Sequence, residues 1–152
     1  MQETLLVAVD GSAHSDKIVR EGCELAKKLS AKMVLLYVSK FPDLTEEYME
    51  LGGRSPSSPR AEKYVEVAEA VTSKLAEIIR AEQISYEVVF ETGNPAEKVV
   101  TTASDRRASM IILGLKGLHG LEKIRSLGSV SRSVIENAPC PVLVITGEEG
   151  ER

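Results

Sequence analysis

Short runs of consecutive, mainly apolar residues restrict this chain to one class of fold. Four runs have this character: Thr4 to Val9, Met33 to Val38, Met110 to Leu113 and Val142 to Ile145. Strands that are apolar at successive positions, rather than at alternate ones, are typical of a parallel sheet covered on both faces. A fifth segment, Ile84 to Thr92, alternates apolar and polar residues, which predicts an edge strand with one wetter face.

Helical periodicity predicts one amphipathic helix in each connection between these strands. The first helix has Ser15 as its predicted N-cap. The second is predicted from Ala61 to Glu82, and the third has Pro95 in its first turn. The last is predicted from Ser129 to Asn137. The predicted buried stripe of the second helix is Val65, Ala68, Val71, Leu75, Ile78 and Ile79. Five strands alternating with four helices predict an open, doubly wound α/β domain with a five-stranded parallel sheet.

Composition narrows the functional classes. The 152 residues suffice for one domain, with 43% hydrophobic and 28% charged residues, as in ordinary globular proteins. The net charge is −4, with acidic and basic residues intermixed, so we expect no nucleic-acid partner. Two isolated cysteines and two histidines argue against a zinc cluster and predict two buried thiols. We expect no membrane association and a cytoplasmic location, because the sequence has no long apolar segment or leader.

A glycine-rich stretch links the fourth apolar run to the last predicted helix. Its marked residues are Gly114, Gly117, Gly120, Gly128 and Ser129. Backbone N–H groups of such a loop, followed by a helix N-terminus, suit a phosphate group. Asp10 follows the first strand. If the first and fourth strands are neighbours, Asp10 and Gly114 face each other at the carboxyl edge of the sheet, where doubly wound folds bind ligands.

Two plainer interpretations stay open at this point. The glycines could only occupy left-handed turn positions, and Asp10 could only cap a turn through its side chain. The stretch lacks the Lys-Ser or Lys-Thr of a Walker A loop. The spacing of Gly114, Gly117 and Gly120 also differs from the dinucleotide-binding fingerprint.

Four ordered segments resemble the universal stress protein family. They are Thr4 to Ser12, Gly93 to Val100, Met110 to Ile135 and Ala138 to Ile145. The resemblance implies a single domain over residues 1–152, with a loop insertion at 41–60. It further implies the adenine nucleotide alpha hydrolase-like fold, with strand order 3-2-1-4-5, and a regulatory role in stress response rather than an enzymatic one.

The glycine pattern resembles the ATP-binding branch of that family. The resemblance implies that Asp10 contacts adenine or ribose, that the Val38 backbone hydrogen-bonds adenine and that Gly114 approaches the ribose. It places the phosphates among Gly117, Gly128, Ser129 and Val130. The implied ligand is ATP, AMP or ADP, with Mg²⁺ as an accompanying ion when the ligand is ATP.

Ten residues separate Gly117 from Gly128, one more than in that branch. The extra residue leaves a second hypothesis open, in which the nucleotide site is vestigial and the chain is an interaction module. Slow ATP hydrolysis is a third. Whichever hypothesis holds, we expect a homodimer through Val142 to Ile145, because this apolar strand has too little chain after it to form a covering helix.

Overall fold

A five-stranded parallel sheet forms the centre of the computed structural model, which describes residues 2–39, 59–115 and 127–146. The strand order is β3-β2-β1-β4-β5, which confirms the predicted order. The elements in chain order are β1 (Thr4–Val9), α1 (Ser15–Leu29), β2 (Lys32–Ser39), α2 (Pro59–Ala81), β3 (Tyr86–Thr92), α3 (Pro95–Asp105), β4 (Met110–Gly114), α4 (Ser129–Asn137) and β5 (Val142–Ile145). The predicted insertion at 41–60 lies outside the described residues, except that α2 begins at Pro59.

Helices cover both faces of the sheet, and each face has its own apolar core. The α1 and α2 face includes the fully buried Leu5, Met33 and Ile112. The opposite face packs against α3 and α4 through residues that include Leu36 and Ile111. Successive residues of the central strands therefore face opposite cores, which explains the uninterrupted apolar runs in the sequence.

The edge position predicted for the third strand is confirmed. β3 pairs with β2 alone among the described strands, and Phe90 on it remains 40% exposed. The strand begins at Tyr86 rather than at Ile84. In the helix that follows, Pro95 occupies the first turn as predicted. The Asn94 side chain caps this helix by accepting a hydrogen bond from the Glu97 N–H at 3.1 Å.

Two predictions about the helices are wrong. Ser15 is the first helical residue of α1 rather than its N-cap, which is His14. The Ser15 hydroxyl is buried and finds no hydrogen-bond partner among the described residues. Val65 is 47% exposed, and the buried stripe of α2 passes through Tyr64 instead. Tyr64 tolerates burial because its hydroxyl donates to the Glu91 carbonyl at 3.0 Å.

The two cysteines differ in burial. Cys23 is 2% exposed, and its thiol donates to the Met33 sulfur at 3.9 Å. Cys140 is only partly buried, which corrects the prediction of two buried thiols. Burial, assisted by the Glu82 carboxylate, raises the pKa of Cys23 from 9.0 to about 11. Cys23 therefore stays a neutral thiol at physiological pH.

We expect the free energy of unfolding to fall as the pH rises from 9.0 to about 11. The unfolded chain releases the Cys23 proton near pH 9.0 and the native chain near pH 11, so the native state binds more protons between these values. The shift of Cys23 corresponds to a loss of about 2 to 3 kcal/mol. Urea unfolding measured from about pH 8 to about pH 11 tests this expectation.

The control compares two single variants. Cys23→Ala lowers stability below about pH 9 because it leaves a cavity, and it should make the alkaline decline shallower by the contribution of Cys23. Part of the decline should remain, because the pKa values of Tyr37, Tyr64 and Cys140 are also raised. Cys140→Ala should keep most of the decline. Parallel curves for the parent chain and Cys23→Ala would contradict the expected contribution of Cys23.

Candidate functional site

The described site lies at the carboxyl ends of β1 and β4, which are neighbouring strands. The chain leaves these two strands in opposite directions along the sheet, so the place is a topological switch point. A cavity of about 90 Å³ opens here. Its lining consists of Ala8, Val9, Asp10, Ser12, Ile18, Val38, Pro95, Val99, Leu113, Gly114, Val130 and Ser131. The structure thus brings together Asp10, Val38, Gly114 and Val130, four of the residues that the sequence marked.

Asp10 is held in a defined position at the cavity edge. Its Oδ1 accepts a hydrogen bond from the Ser12 N–H at 2.9 Å, which is the side-chain turn considered above. Gly11 between them has a φ of +82°, a conformation that favours glycine. The turn engages one hydrogen bond of a carboxylate that has several acceptor positions. Asp10 can therefore hold the turn and accept hydrogen bonds from a ligand at the same time.

Tyr37 packs behind this turn on the α2 side. A Cβ at Gly11 would lie 3.4 Å from Tyr37 Cε2, so the ring fills the space beneath the turn. Burial raises the pKa of the Tyr37 phenol, a hydrogen bond with the Ser39 side chain lowers it, and the Asp10 carboxylate raises it further. Tyr37 is therefore a neutral support for the turn that carries Asp10.

The floor of the cavity is apolar. Ala8, Ile18, Val38, Val99 and Leu113 contribute side chains from both cores. Among the described lining residues, Asp10 is the only one with an ionisable side chain. An apolar cavity with one carboxylate fits a ligand that has a flat, weakly polar ring. Hydroxyl groups on a part attached to that ring could then donate to the carboxylate.

The N-terminus of α4 also borders the cavity, through Val130 and Ser131. The N–H groups of Ser129 and Val130 belong to the first turn and have no acceptor within the helix, and the positive end of the helix dipole lies beside them. The Gly128 N–H is used differently, because it donates to the Leu115 carbonyl at 3.1 Å. Gly117 lies outside the described residues, so its predicted role stays a prediction.

A second cavity of about 470 Å³ adjoins the first and shares Pro95 and Val130 with it. Its lining consists of Gly93, Asn94, Pro95, Ala96, Ser129, Val130 and Ser133. The first turns of α3 and α4 therefore border one space next to the first cavity. Sequence reasoning identified the Gly93 to Pro95 turn only as a helix start and missed its place in the site.

Ser12, Ile18 and Ser131 are among the other lining residues that the sequence did not mark as site residues. The sequence predicted Ser12 as part of a turn and Ile18 as part of a buried helix face, and the structure confirms both positions. Ser131 is 4% exposed, and the alternation of small residues from Gly128 onward is the one signal that could have pointed to it.

Within residues 2–39, 59–115 and 127–146 no cluster of three or more His, Cys, Asp or Glu side chains is arranged for a metal ion. Over the same ranges, the helices are too short or too polar to span a membrane.

Comparisons with known proteins agree with this architecture. The model of the universal stress protein family matches residues 1–146. The universal stress protein YxiE of Bacillus subtilis is 28% identical over 152 aligned positions, covering 95% of this chain and 99% of that protein.

Two solved structures are similar in fold. A universal stress protein from Archaeoglobus fulgidus in complex with dAMP has a TM-score of 0.67 and 22% identity, covering 96% of this chain and 98% of that one. A universal stress protein in complex with cAMP has a TM-score of 0.66 and 21% identity, covering 95% and 96% of the two chains. At these identities the similarity establishes the fold.

Proposed function

Because the chain belongs to the universal stress protein family, we propose that it binds an adenine nucleotide at the carboxyl ends of β1 and β4. Its sheet has the adenine nucleotide alpha hydrolase-like fold, and proteins of this family are generally not enzymes. The proposed role is that of a nucleotide-dependent regulatory dimer in stress response.

One observation carries the nucleotide proposal. The Asp10 carboxylate and the N-terminus of α4 border the same cavity, with an apolar floor between them. An adenine nucleotide consists of a flat base, a ribose whose hydroxyl groups can donate hydrogen bonds, and an anionic phosphate, in that order. Each part meets a chemically matched surface here, since carboxylates accept from hydroxyl groups and helix N-termini favour anions.

The family resemblance supports an individual role for each of these residues in the proposal. Asp10 accepts from ribose hydroxyls or adenine, and the Val38 backbone hydrogen-bonds adenine. Gly114 permits close approach of the ribose, because β4 ends there without a side chain in the way. Ser129 and Val130 donate N–H groups to phosphate. In this proposal Gly128 lies next to the phosphate without donating to it, because its N–H already donates to the Leu115 carbonyl. Gly117 is proposed to lie beside the phosphate as well.

The identity of the nucleotide is a finer part of the proposal. The relatives solved with dAMP and cAMP support an adenine base with a single phosphate group. We also propose ATP and ADP as ligands, because the second cavity shares Val130 with the first and offers room for further phosphates. Mg²⁺ would accompany ATP.

The dimer proposal concerns β5. This strand lies at the sheet edge and pairs with β4 alone among the described strands. Leu143 on this strand is 38% exposed, and Ile135 of α4 is 43% exposed. An apolar edge strand with free backbone groups invites pairing with another chain, and a second copy of β5 is the proposed partner.

Calorimetric titration of the parent chain with AMP, ADP and ATP tests the nucleotide proposal. We expect saturable binding of one nucleotide per chain, and nucleotide retained through native purification would appear in a native mass spectrum. Absence of binding to all three nucleotides would overturn the proposal in favour of an interaction module. Phosphate release from ATP that is lost in Asp10→Ala would instead indicate slow hydrolysis.

A further inference from the structure

We infer that Ser131 is a positioning residue that sets the affinity of this site for phosphate by holding the two ends of the glycine loop together. The inference rests on the proposed nucleotide function and deepens it. Ser131 is buried and has no predicted contact with the ligand, yet in this inference it determines how tightly the phosphate group is bound.

The geometry at the base of the loop is the basis for this assignment. The Ser131 Oγ donates to the Gly114 carbonyl at 2.8 Å and lies 3.2 Å from the Leu115 carbonyl. Leu115 also accepts from the Gly128 N–H at 3.1 Å. Leu115 follows β4 and Gly128 precedes α4, so the start of the loop is bonded both to the end of the loop and to the Ser131 hydroxyl on α4.

Ser131 acts through these backbone groups rather than on the ligand. A serine hydroxyl has one proton, and here that proton is directed at the two carbonyl oxygens. The side chain is 4% exposed, so water cannot readily replace it in a variant that lacks the hydroxyl. Losing it leaves a buried carbonyl short of a donor and loosens the connection between β4 and the first turn of α4.

The network also reaches the edge of the sheet. The Leu115 N–H donates to the Ile145 carbonyl at 3.0 Å, which anchors the same residue to the end of β5. Leu115 is thus bonded on both sides, and the Ser131 contact fixes the side that faces α4. The extra residue between Gly117 and Gly128 therefore enters a loop whose two ends already have defined positions.

The consequence is a selective effect on one part of the ligand. In the proposal Asp10, which follows β1, and Val38 in β2 contact the base and the ribose. Gly114, which approaches the ribose, is also held in β4 by its pairing with Ile145 of β5, so it keeps its position without the Ser131 hydroxyl. The phosphate is contacted by Ser129 and Val130, which lie within two residues of Ser131 on α4. Removing the hydroxyl should therefore weaken binding of AMP and leave binding of adenosine, which has no phosphate, nearly unchanged.

Calorimetric titration with AMP and with adenosine tests this inference on the full chain. For Ser131→Ala we expect an affinity for AMP about five- to tenfold lower and an affinity for adenosine within about twofold of the parent, as for loss of one hydrogen bond. Ser131→Thr retains the hydroxyl and should restore much of the AMP affinity. Ser109→Ala is the matched control, because Ser109 accepts from the Thr4 N–H at 3.4 Å at the opposite end of β4.

Each outcome decides the question. Equal loss of AMP and adenosine binding in Ser131→Ala, or no loss of either, would overturn the positioning role. If Ser131→Ala does not fold, Ser131→Cys provides the comparison, because a thiol is a much weaker donor of similar shape. A parent chain that binds neither ligand refutes the proposed function itself, whereas a parent that binds both with an unchanged ratio in the variants refutes only the role of Ser131.

Discussion

Replacing Asp10 by Asn is expected to lower the affinity for AMP at least about tenfold, because a charge-assisted hydrogen bond contributes about 1.5 to 3 kcal/mol. The variant separates two roles of this side chain. An asparagine oxygen can still accept from the Ser12 N–H, which Asp10 Oδ1 does at 2.9 Å, so the turn after β1 is retained. The charge offered to the ligand is lost. Titration calorimetry and thermal unfolding of the same samples measure the two effects separately.

The matched control for this variant is Asp105→Asn. Asp105 is an exposed carboxylate in the last turn of α3, so its replacement makes the same chemical change away from the cavity. We expect an unchanged AMP affinity for it. Asp10→Ala removes both roles, and it should lower the melting temperature as well as the affinity. If Asp10→Asn binds AMP as tightly as the parent chain, Asp10 serves the turn alone and the assigned ligand contact is wrong.

Leu143→Arg is expected to convert the proposed dimer to a monomer. Leu143 lies within β5, the strand on which the proposed interface is built, and is 38% exposed. An arginine at the same position in both copies would place two like charges in an apolar contact, where their burial costs several kcal/mol. Sedimentation equilibrium should then give the 16.5 kDa of one chain for the variant and twice that mass for the parent chain.

Leu29→Arg controls for the change of charge and surface. Leu29 is 44% exposed at the end of α1, where no interface is proposed, so this variant should sediment as the parent chain does. A parent chain that is monomeric at high concentration would refute the dimer outright. A dimer that survives Leu143→Arg would indicate an interface elsewhere on the molecule.

The strands were the most predictable part of the fold. Thr4–Val9 and Val142–Ile145 begin and end where their apolar runs do, because residues buried on both faces leave a continuous record in the sequence. The alternation in β3 likewise reported an edge strand. The resemblance to a family supplied the strand order, which short apolar runs alone do not contain.

The helices were less predictable in detail because polar side chains can be buried when their hydrogen bonds are satisfied. Tyr64 and Thr72 belong to the buried stripe of α2, since the Tyr64 hydroxyl donates to Glu91 and the Thr72 hydroxyl donates to the Ala68 carbonyl at 2.7 Å. The prediction from hydrophobicity included Val65, which is exposed, and left out Tyr64 and Thr72. It also assigned Ser15 to the N-cap by residue type, although His14 occupies that position.

The sequence by itself determined the α/β class and the strands, because runs of apolar residues are local patterns, and it marked the glycines that we predict to lie near a phosphate. The tertiary structure decided which residues share a space. It placed Asp10 and Gly114 on one cavity by pairing β1 with β4, added the first turn of α3 to the site, and engaged Ser131 with the carbonyls of Gly114 and Leu115. Such contacts join residues far apart in the chain, and no local pattern in a single sequence encodes them.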